Sequence, residues 1–261
     1  MDEKQKINVT LLANEGILLQ FQDVKIMIDG ISKDESGAWS SISDHVYADL
    51  LAGEKPLFQK IDYVFYTHCH SDHFSAELTE KFLQKHRVKG LIMPDLETRG
   101  YGSLRRTAAR QADEVWLLSL EFGQKKEIRL TDEISLTVFR SIHEGGAKNI
   151  SIENYCYILN LNGRKVFIIA DGEYNSEYFT RMLADESIET AFINPMFLNG
   201  ADGRKVVLDS IKADRLIVYH IPFAEKDQMG FRNIVSHDVK KYRDILPPTD
   251  VLWDELQELT I

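Results

Sequence analysis

The sequence predicts a layered α/β protein, and three observations carry that prediction. Short apolar runs of strand length recur from Ile7 onward, they alternate with stretches of helical period after residue 75, and side chains of metal-ligand type fall where strands end. Residues 7–12, 16–20 and 24–28 read as three strands, with Asn14 and Asp23 in the turns between them. Residues 30–60 read as an irregular polar segment around a helix at 46–51. A connection of that length is more often functional than idle, and Trp39 within it is a candidate pocket wall. Tyr63-Val64-Phe65-Tyr66 reads as a buried strand. Helices are then expected at 75–86, 104–112, 176–184, 206–211 and 236–242. Strands are expected at 90–93, 115–118, 128–130, 136–140, 156–161, 166–170, 190–193 and 216–219.

The chemistry concentrates just after the buried strand. His68-Cys69-His70-Ser71-Asp72-His73 puts three imidazoles and a carboxylate into six residues. Imidazole nitrogen and carboxylate oxygen are the ligands zinc takes, and a set lacking thiolate also suits manganese or iron. Cys69 lies between two ligating histidines and should point away from a shared ion. His143, Asp171 and His220 each follow a further strand, where a sheet holds the side chain and the loops beyond it are free to shape a pocket. His45, His86 and His237 lie in charged segments and are expected at the surface.

This ordered set resembles the metallo-β-lactamase-fold superfamily of metal-dependent hydrolases. The match runs from Asp29 in Ile26-Met27-Ile28-Asp29-Gly30, through the HxHxDH turn at 68–73, to His143, Asp171 and His220. The resemblance implies a four-layer αβ/βα sandwich, two sheets face to face with helices outside. It implies two divalent ions, zinc foremost, with manganese or iron as alternatives. His68, His70 and His143 would hold the first ion; Asp72, His73 and His220 the second; and Asp171 both. Asp29 would tie the ligand turn in place. The implied reaction is attack by metal-bound hydroxide on a small, anionic ester, lactone or phosphodiester, with Asp72 taking up a proton.

Details of the match separate branches. His70 stands where the diiron flavoprotein branch carries an acid, and Asp171 stands where many β-lactamases use Cys. Phe192-Ile193-Asn194-Pro195-Met196 and Tyr219-His220-Ile221-Pro222 are similar to the branch of ascorbate-6-phosphate lactonase and N-acyl-phosphatidylethanolamine phospholipase. Ala170-Asp171-Gly172 and Gly30 depart from that branch's pattern. Two alternatives stand beside the hydrolase: a metal-binding sensor of the same fold without turnover, and a mononuclear iron redox enzyme.

Composition bounds these readings. With 261 residues, 44% of them hydrophobic, and no Pro- or Gly-rich linker, one domain spanning 1–261 is expected. A formal charge of −10 disfavours a nucleic-acid partner and leaves a small-molecule substrate. The densest cationic stretch, Arg99 with Arg105, Arg106 and Arg110, reads first as a solvated helix face and second as an anion clamp. Met196 and Phe197 join Trp39 as candidate pocket walls. Only Cys69 and Cys156 are present, which excludes a disulfide framework and points to a reducing cytoplasm. No apolar run reaches membrane-spanning length, and the polar N-terminus does not resemble a signal peptide. Composition leaves the oligomeric state open.

Overall fold

The structure, a computed structural model, describes residues 6–95 and 101–261. Arg99 lies outside the described residues. The chain folds as two compact units, Met1–Ser119 with Asp254–Ile261, and Leu120–Trp253. Each is built on one mixed seven-stranded sheet, so the α/β class expected from the sequence is the one observed.

In the first unit β1 (Ile7–Leu11), β2 (Ile17–Phe21) and β3 (Val24–Ile28) form an antiparallel meander through short turns. β4 (Tyr63–Phe65), β5 (Val88–Pro94) and β6 (Ala112–Leu118) then add in parallel. Parallel neighbours need a crossover. Three helices supply it: α1 (Asp44–Ala52), α2 (Ala76–Lys85) and α3 (Gly102–Gln111). Ser75 caps α2 by accepting the Leu78 amide at 3.4 Å, and Thr79, Phe82 and Leu83 form its buried face. The Thr79 hydroxyl donates to the Ser75 carbonyl at 2.7 Å and so accepts from the Tyr66 hydroxyl at 2.5 Å. That bond ties α2 to the residue that follows β4. Gly90 is required in β5, because a Cβ there would stand 2.4 Å from the Trp116 ring and 2.8 Å from Tyr63.

The second unit repeats the plan. β7 (Lys125–Arg129), β8 (Ile134–Ile142), β9 (Glu153–Leu161) and β10 (Arg164–Ile168) are antiparallel. β11 (Thr190–Ile193), β12 (Arg215–Val218) and β13 (Thr249–Val251) are parallel to β10. The crossovers carry α4 (Ser176–Met182), α5 (Met196–Asn199), α6 (Ala201–Lys205) and α7 (Phe231–Tyr242). Phe139, Phe167 and Phe179, all fully buried, form the aromatic centre of this unit's core. The chain closes with β14 (Glu258–Thr260), which pairs antiparallel to β1 in the first unit's sheet.

Four differences from the sequence reading have physical causes. The helix expected at 206–211 is a π-helical extension of α6, ended by Lys212 in the left-handed region. α7 begins at Phe231 rather than 236, because both Asp227 carboxylate oxygens accept first-turn amides, from Phe231 at 2.7 Å and Arg232 at 2.9 Å. β13 and β14 are edge strands of three residues, too short for period-two alternation to reveal. Phe197 is a core residue and not a pocket wall: it is fully buried, with its ring edge-on to Tyr174 at 4.9 Å. Met196 is partly buried, and so is Trp39, whose amide is held by Asp34 at 2.9 Å. Arg106 and Arg110 lie on the exposed side of α3, while Leu104, Thr107 and Ala108 face inward. Among the described residues, no helix is long and apolar enough to cross a membrane.

Cys156 lies in β9 and is fully buried, and burial pushes its thiol up to about 12. At pH 8 its thiolate fraction is therefore on the order of one in ten thousand. Native protein at that pH should leave Cys156 unlabelled by a thiol reagent, with both cysteines reacting in denaturant. Mass-spectrometric mapping checks this, and rapid native labelling at Cys156 would contradict the closed sheet.

Candidate functional site

The ligand turn of the first unit begins where β4 ends, and one carboxylate organises it. Asp29, at the carboxyl end of β3, accepts the Thr67 amide at 2.8 Å, the Thr67 hydroxyl at 2.5 Å and the His73 Nδ1–H at 3.0 Å. Burial pushes the Asp29 carboxyl above the usual range, and the bonds from His73 and Thr67 pull it back. The turn is also held by its backbone: Ser75 donates to the Ile31 carbonyl at 3.0 Å and Lys33 to the Ser71 carbonyl at 2.9 Å.

These bonds fix the tautomers. Asp29 takes the proton on His73 Nδ1, so in the neutral ring Nε2 carries a lone pair. That Nε2 stands 3.0 Å from Glu15 Oε2 and 3.7 Å from Asp72 Oδ2. The Thr67 hydroxyl, having donated to Asp29, accepts from His68 Nδ1 at 3.1 Å, so His68 Nε2 is likewise a lone-pair donor. It lies 3.1 Å from His70 Nδ1. His68 and His73 are fully buried, Asp72 is 7% exposed and His70 is half-buried.

The second unit presents a matching set. His143 Nδ1 is 2.8 Å from the Glu144 carbonyl, which can only accept, so its Nε2 is again the lone-pair nitrogen. Asp171 directs one oxygen to each of two imidazoles: Oδ2 is 3.3 Å from His143 Nε2 and Oδ1 is 3.5 Å from His220 Nε2. Asn154 accepts the Asp171 amide at 3.2 Å, and Asn194 donates to the Ala170 carbonyl at 3.3 Å and to Asp171 Oδ1 at 3.4 Å. The loops are laced together as well, since Glu144 donates to the Asp171 carbonyl at 2.7 Å and Glu173 to the Ile142 carbonyl at 2.9 Å.

Both sets fit a divalent cation. Lone-pair nitrogens facing carboxylate oxygens repel unless positive charge lies among them. Separations of 3.0–3.5 Å are those of two atoms each about 2.1 Å from one ion, at angles of about 90–115°. The chain's fold holds these groups at some backbone cost. Asp29, Ala170 and His220 adopt φ of 50°, 52° and 57°, the left-handed region that L-residues avoid by about 1–2 kcal/mol.

Of the residues expected at the site, His68, His70, Asp72, His73 and Asp29 come together in the first unit, and His143, Asp171 and His220 in the second. His45 is exposed and 2.9 Å from Ser43 Oγ, and His237 is exposed. His86, expected at the surface, is half-buried: it ends α2, stacks on Phe82 and faces the Leu51 carbonyl at 3.0 Å. Glu15, Thr67, Asn154 and Asn194 were missed. The Glu144 carboxylate accepts from the Tyr174 hydroxyl, and burial, then the nearby Asp171 charge, raise its pKa. Glu144 and Tyr174 line a cavity of about 550 Å³ with Glu173, Glu177, Asp202 and Lys205.

No family model and no curated relative matches the chain by sequence. Solved structures match it closely in fold. CmlA, a diiron β-hydroxylase from Streptomyces venezuelae, aligns with a TM-score of 0.65 at 14% identity, over 99% of this chain and 54% of that one. The chain thus spans about half the length of CmlA. The metallo-β-lactamase fold protein YhfI from Bacillus subtilis aligns at 0.60 and 14% identity, over 99% and 100% of the two chains. An isothiocyanate hydrolase from Delia radicum gut bacteria aligns at 0.58 and 13% identity, over 97% and 98%. The chain has the metallo-β-lactamase fold.

Asp29→Asn keeps the side-chain shape and the left-handed preference but leaves at least one of the three donors without an acceptor. Stability should fall by about 1–3 kcal/mol, and metal affinity by about 10–100-fold. Denaturant melts of metal-free protein and chelator-competition titrations measure the two effects separately.

Proposed function

We propose that this protein is a metal-dependent hydrolase that binds two divalent ions, zinc foremost, through His68, His70, Asp72, His73, His143, Asp171 and His220. The observation that supports it best is the Asp171 carboxylate, which directs one oxygen to each of two imidazoles, with the lone-pair Nε2 of His143 facing it. Such ions, when bound, supply Lewis acidity and lower the pKa of bound water to about 7. The chain's own residues do the rest. Asp29 and Thr67 set the ring orientations, Asn154 and Asn194 hold Asp171, and Asp72, less deeply buried than His68 or His73, takes up and returns a proton.

The substrate in this reading is a small ester, lactone or phosphodiester, as in the lactonase and phospholipase branch. An anionic substrate would be neutralised by the ions rather than by Arg106 or Arg110, which stand exposed on α3. The acidic lining beside Glu144 and Tyr174 favours a neutral or cationic group in that cavity. The fold likeness to CmlA supports a second reading, an iron enzyme that activates oxygen. Iron content with substrate-dependent oxygen uptake would select it, and turnover of esters or phosphodiesters by zinc- or manganese-loaded protein would select the hydrolase.

Three outcomes are expected. Elemental analysis of reconstituted protein should approach two ions per chain, and a ceiling of one removes the dinuclear arrangement. Asp171→Ala should abolish retention of at least one ion and lower turnover by at least about 100-fold, while His45→Ala, His86→Ala and His237→Ala keep full metal content. Metal affinity should be complete above the ordinary histidine pKa of about 6.5 and fall as pH drops toward about 5, because protons compete for imidazole. Dialysis at stepped pH followed by metal analysis tests this, and retention unchanged to pH 5 contradicts a histidine-based set.

A further inference from the structure

Glu15 stands outside the histidine turn and its companion residues, yet its carboxylate lies nearer to His73 Nε2 than that of Asp72 does. It sits in the turn Asn14-Glu15-Gly16 between β1 and β2 and is 1% exposed. The turn is fixed at both ends: Leu12 donates to the Gly16 carbonyl at 2.7 Å and Asn14 to the Ser40 carbonyl at 2.9 Å. Gly16 presses directly on the strand end that carries Asp29, where a Cβ would come within 2.8 Å of the Asp29 carbonyl oxygen and of Gly30 Cα. The backbone therefore delivers the Glu15 side chain to one place, with Oε2 3.0 Å from His73 Nε2.

The chemistry of that pair is one-sided. Asp29 occupies His73 Nδ1, so the neutral ring turns a lone pair toward the Glu15 carboxylate, and Asp72 adds a second carboxylate at 3.7 Å from the same nitrogen. Three carboxylates around one imidazole are balanced poorly by a single added proton. A dipositive ion satisfies both oxygen ligands and the nitrogen at once. We propose that Glu15 is a direct ligand of the ion that His73 binds, an oxygen donor additional to Asp72; this rests on the metal-dependent reading above. The ligand set would then span the β1–β2 turn as well as the histidine turn.

The test compares wild-type protein with Glu15→Gln, which keeps size and hydrogen-bonding capacity but replaces the carboxylate with a weakly coordinating amide. Metal-stripped samples are titrated with Zn²⁺ against a chromophoric chelator and with Co²⁺ by visible absorption. The expected result is that wild type takes up two ions. Glu15→Gln should keep one and bind the other at least about 10-fold more weakly, with the Co²⁺ spectrum altered only at that equivalent. Equal equivalents, affinities and spectra in the two proteins overturn the proposal and leave Glu15 as a buried counter-charge to His73, a role that would show instead as a lowered Tm of the metal-free variant. A wild-type protein that binds neither ion overturns the metal-dependent reading itself, and this proposal with it. If Glu15→Gln does not fold, Glu15→Asp carries the same comparison: its shortened carboxylate should weaken one equivalent, and unchanged binding rejects ligation.

Discussion

The histidine turn of the first unit depends on a single buried carboxylate. Asp29 gathers the Thr67 amide, the Thr67 hydroxyl and the His73 ring into one hydrogen-bonded group. Through Thr67 it also sets His68, so two of the three histidines in the turn have their tautomer decided by one residue 38–44 positions upstream. A carboxylate with no exposed surface is costly to bury, and it persists because charge-assisted bonds from three donors replace its water. The histidine turn alone would be a floppy set of ligand types. Asp29 makes it a set of aimed lone pairs.

The second unit reaches the same end by different means. Here the organising groups are amides, Asn154 from β9 and Asn194 from the end of β11, which hold the backbone and side chain of Asp171. Neutral amides suit this position because Asp171 already shares its two oxygens between His143 and His220, and a further charge would compete for them. In both units the strand gives way to a left-handed residue at or next to a residue of the candidate site: Asp29, Ala170, His220. At a strand's carboxyl end such a break turns a side chain away from the sheet while the ladder before it stays intact.

Electrostatics link the fold to the proposed chemistry. A chain of formal charge −10 places Glu15, Asp29, Asp72 and Asp171 in buried positions beside imidazoles, where water cannot screen them. Glu144 adds a partly buried acid whose pKa is raised by that environment. Such concentrations of negative charge next to lone-pair nitrogens are unfavourable in an empty interior and favourable around dipositive ions. CmlA, a diiron β-hydroxylase, and the isothiocyanate hydrolase carry different named chemistries on a similar fold, so the fold by itself does not fix the substrate.

The amino-acid order by itself determined the α/β class and most strands and helices, and it named the seven candidate ligand residues. Each of these is written in local signals: period-two alternation, helical period, and ligand-type residues one to five apart in one turn or directly after an apolar run. Its errors lie where the deciding partner is distant in sequence. Helix α7 starts five residues early because Asp227 caps it, and β13 and β14 exist only because β12 and β1 pair with them. Phe197 looked like a pocket wall until α5 turned it into the core. Arg106 and Arg110 share a face as their spacing required, and packing of Leu104 and Ala108 then sent that face to solvent. Glu15 could not be read at all, since a lone acid in a turn says nothing until the β1–β3 register carries it across 58 residues to His73. Spacing along the chain names the residues capable of chemistry, and only the tertiary fold decides which carboxylate faces which nitrogen.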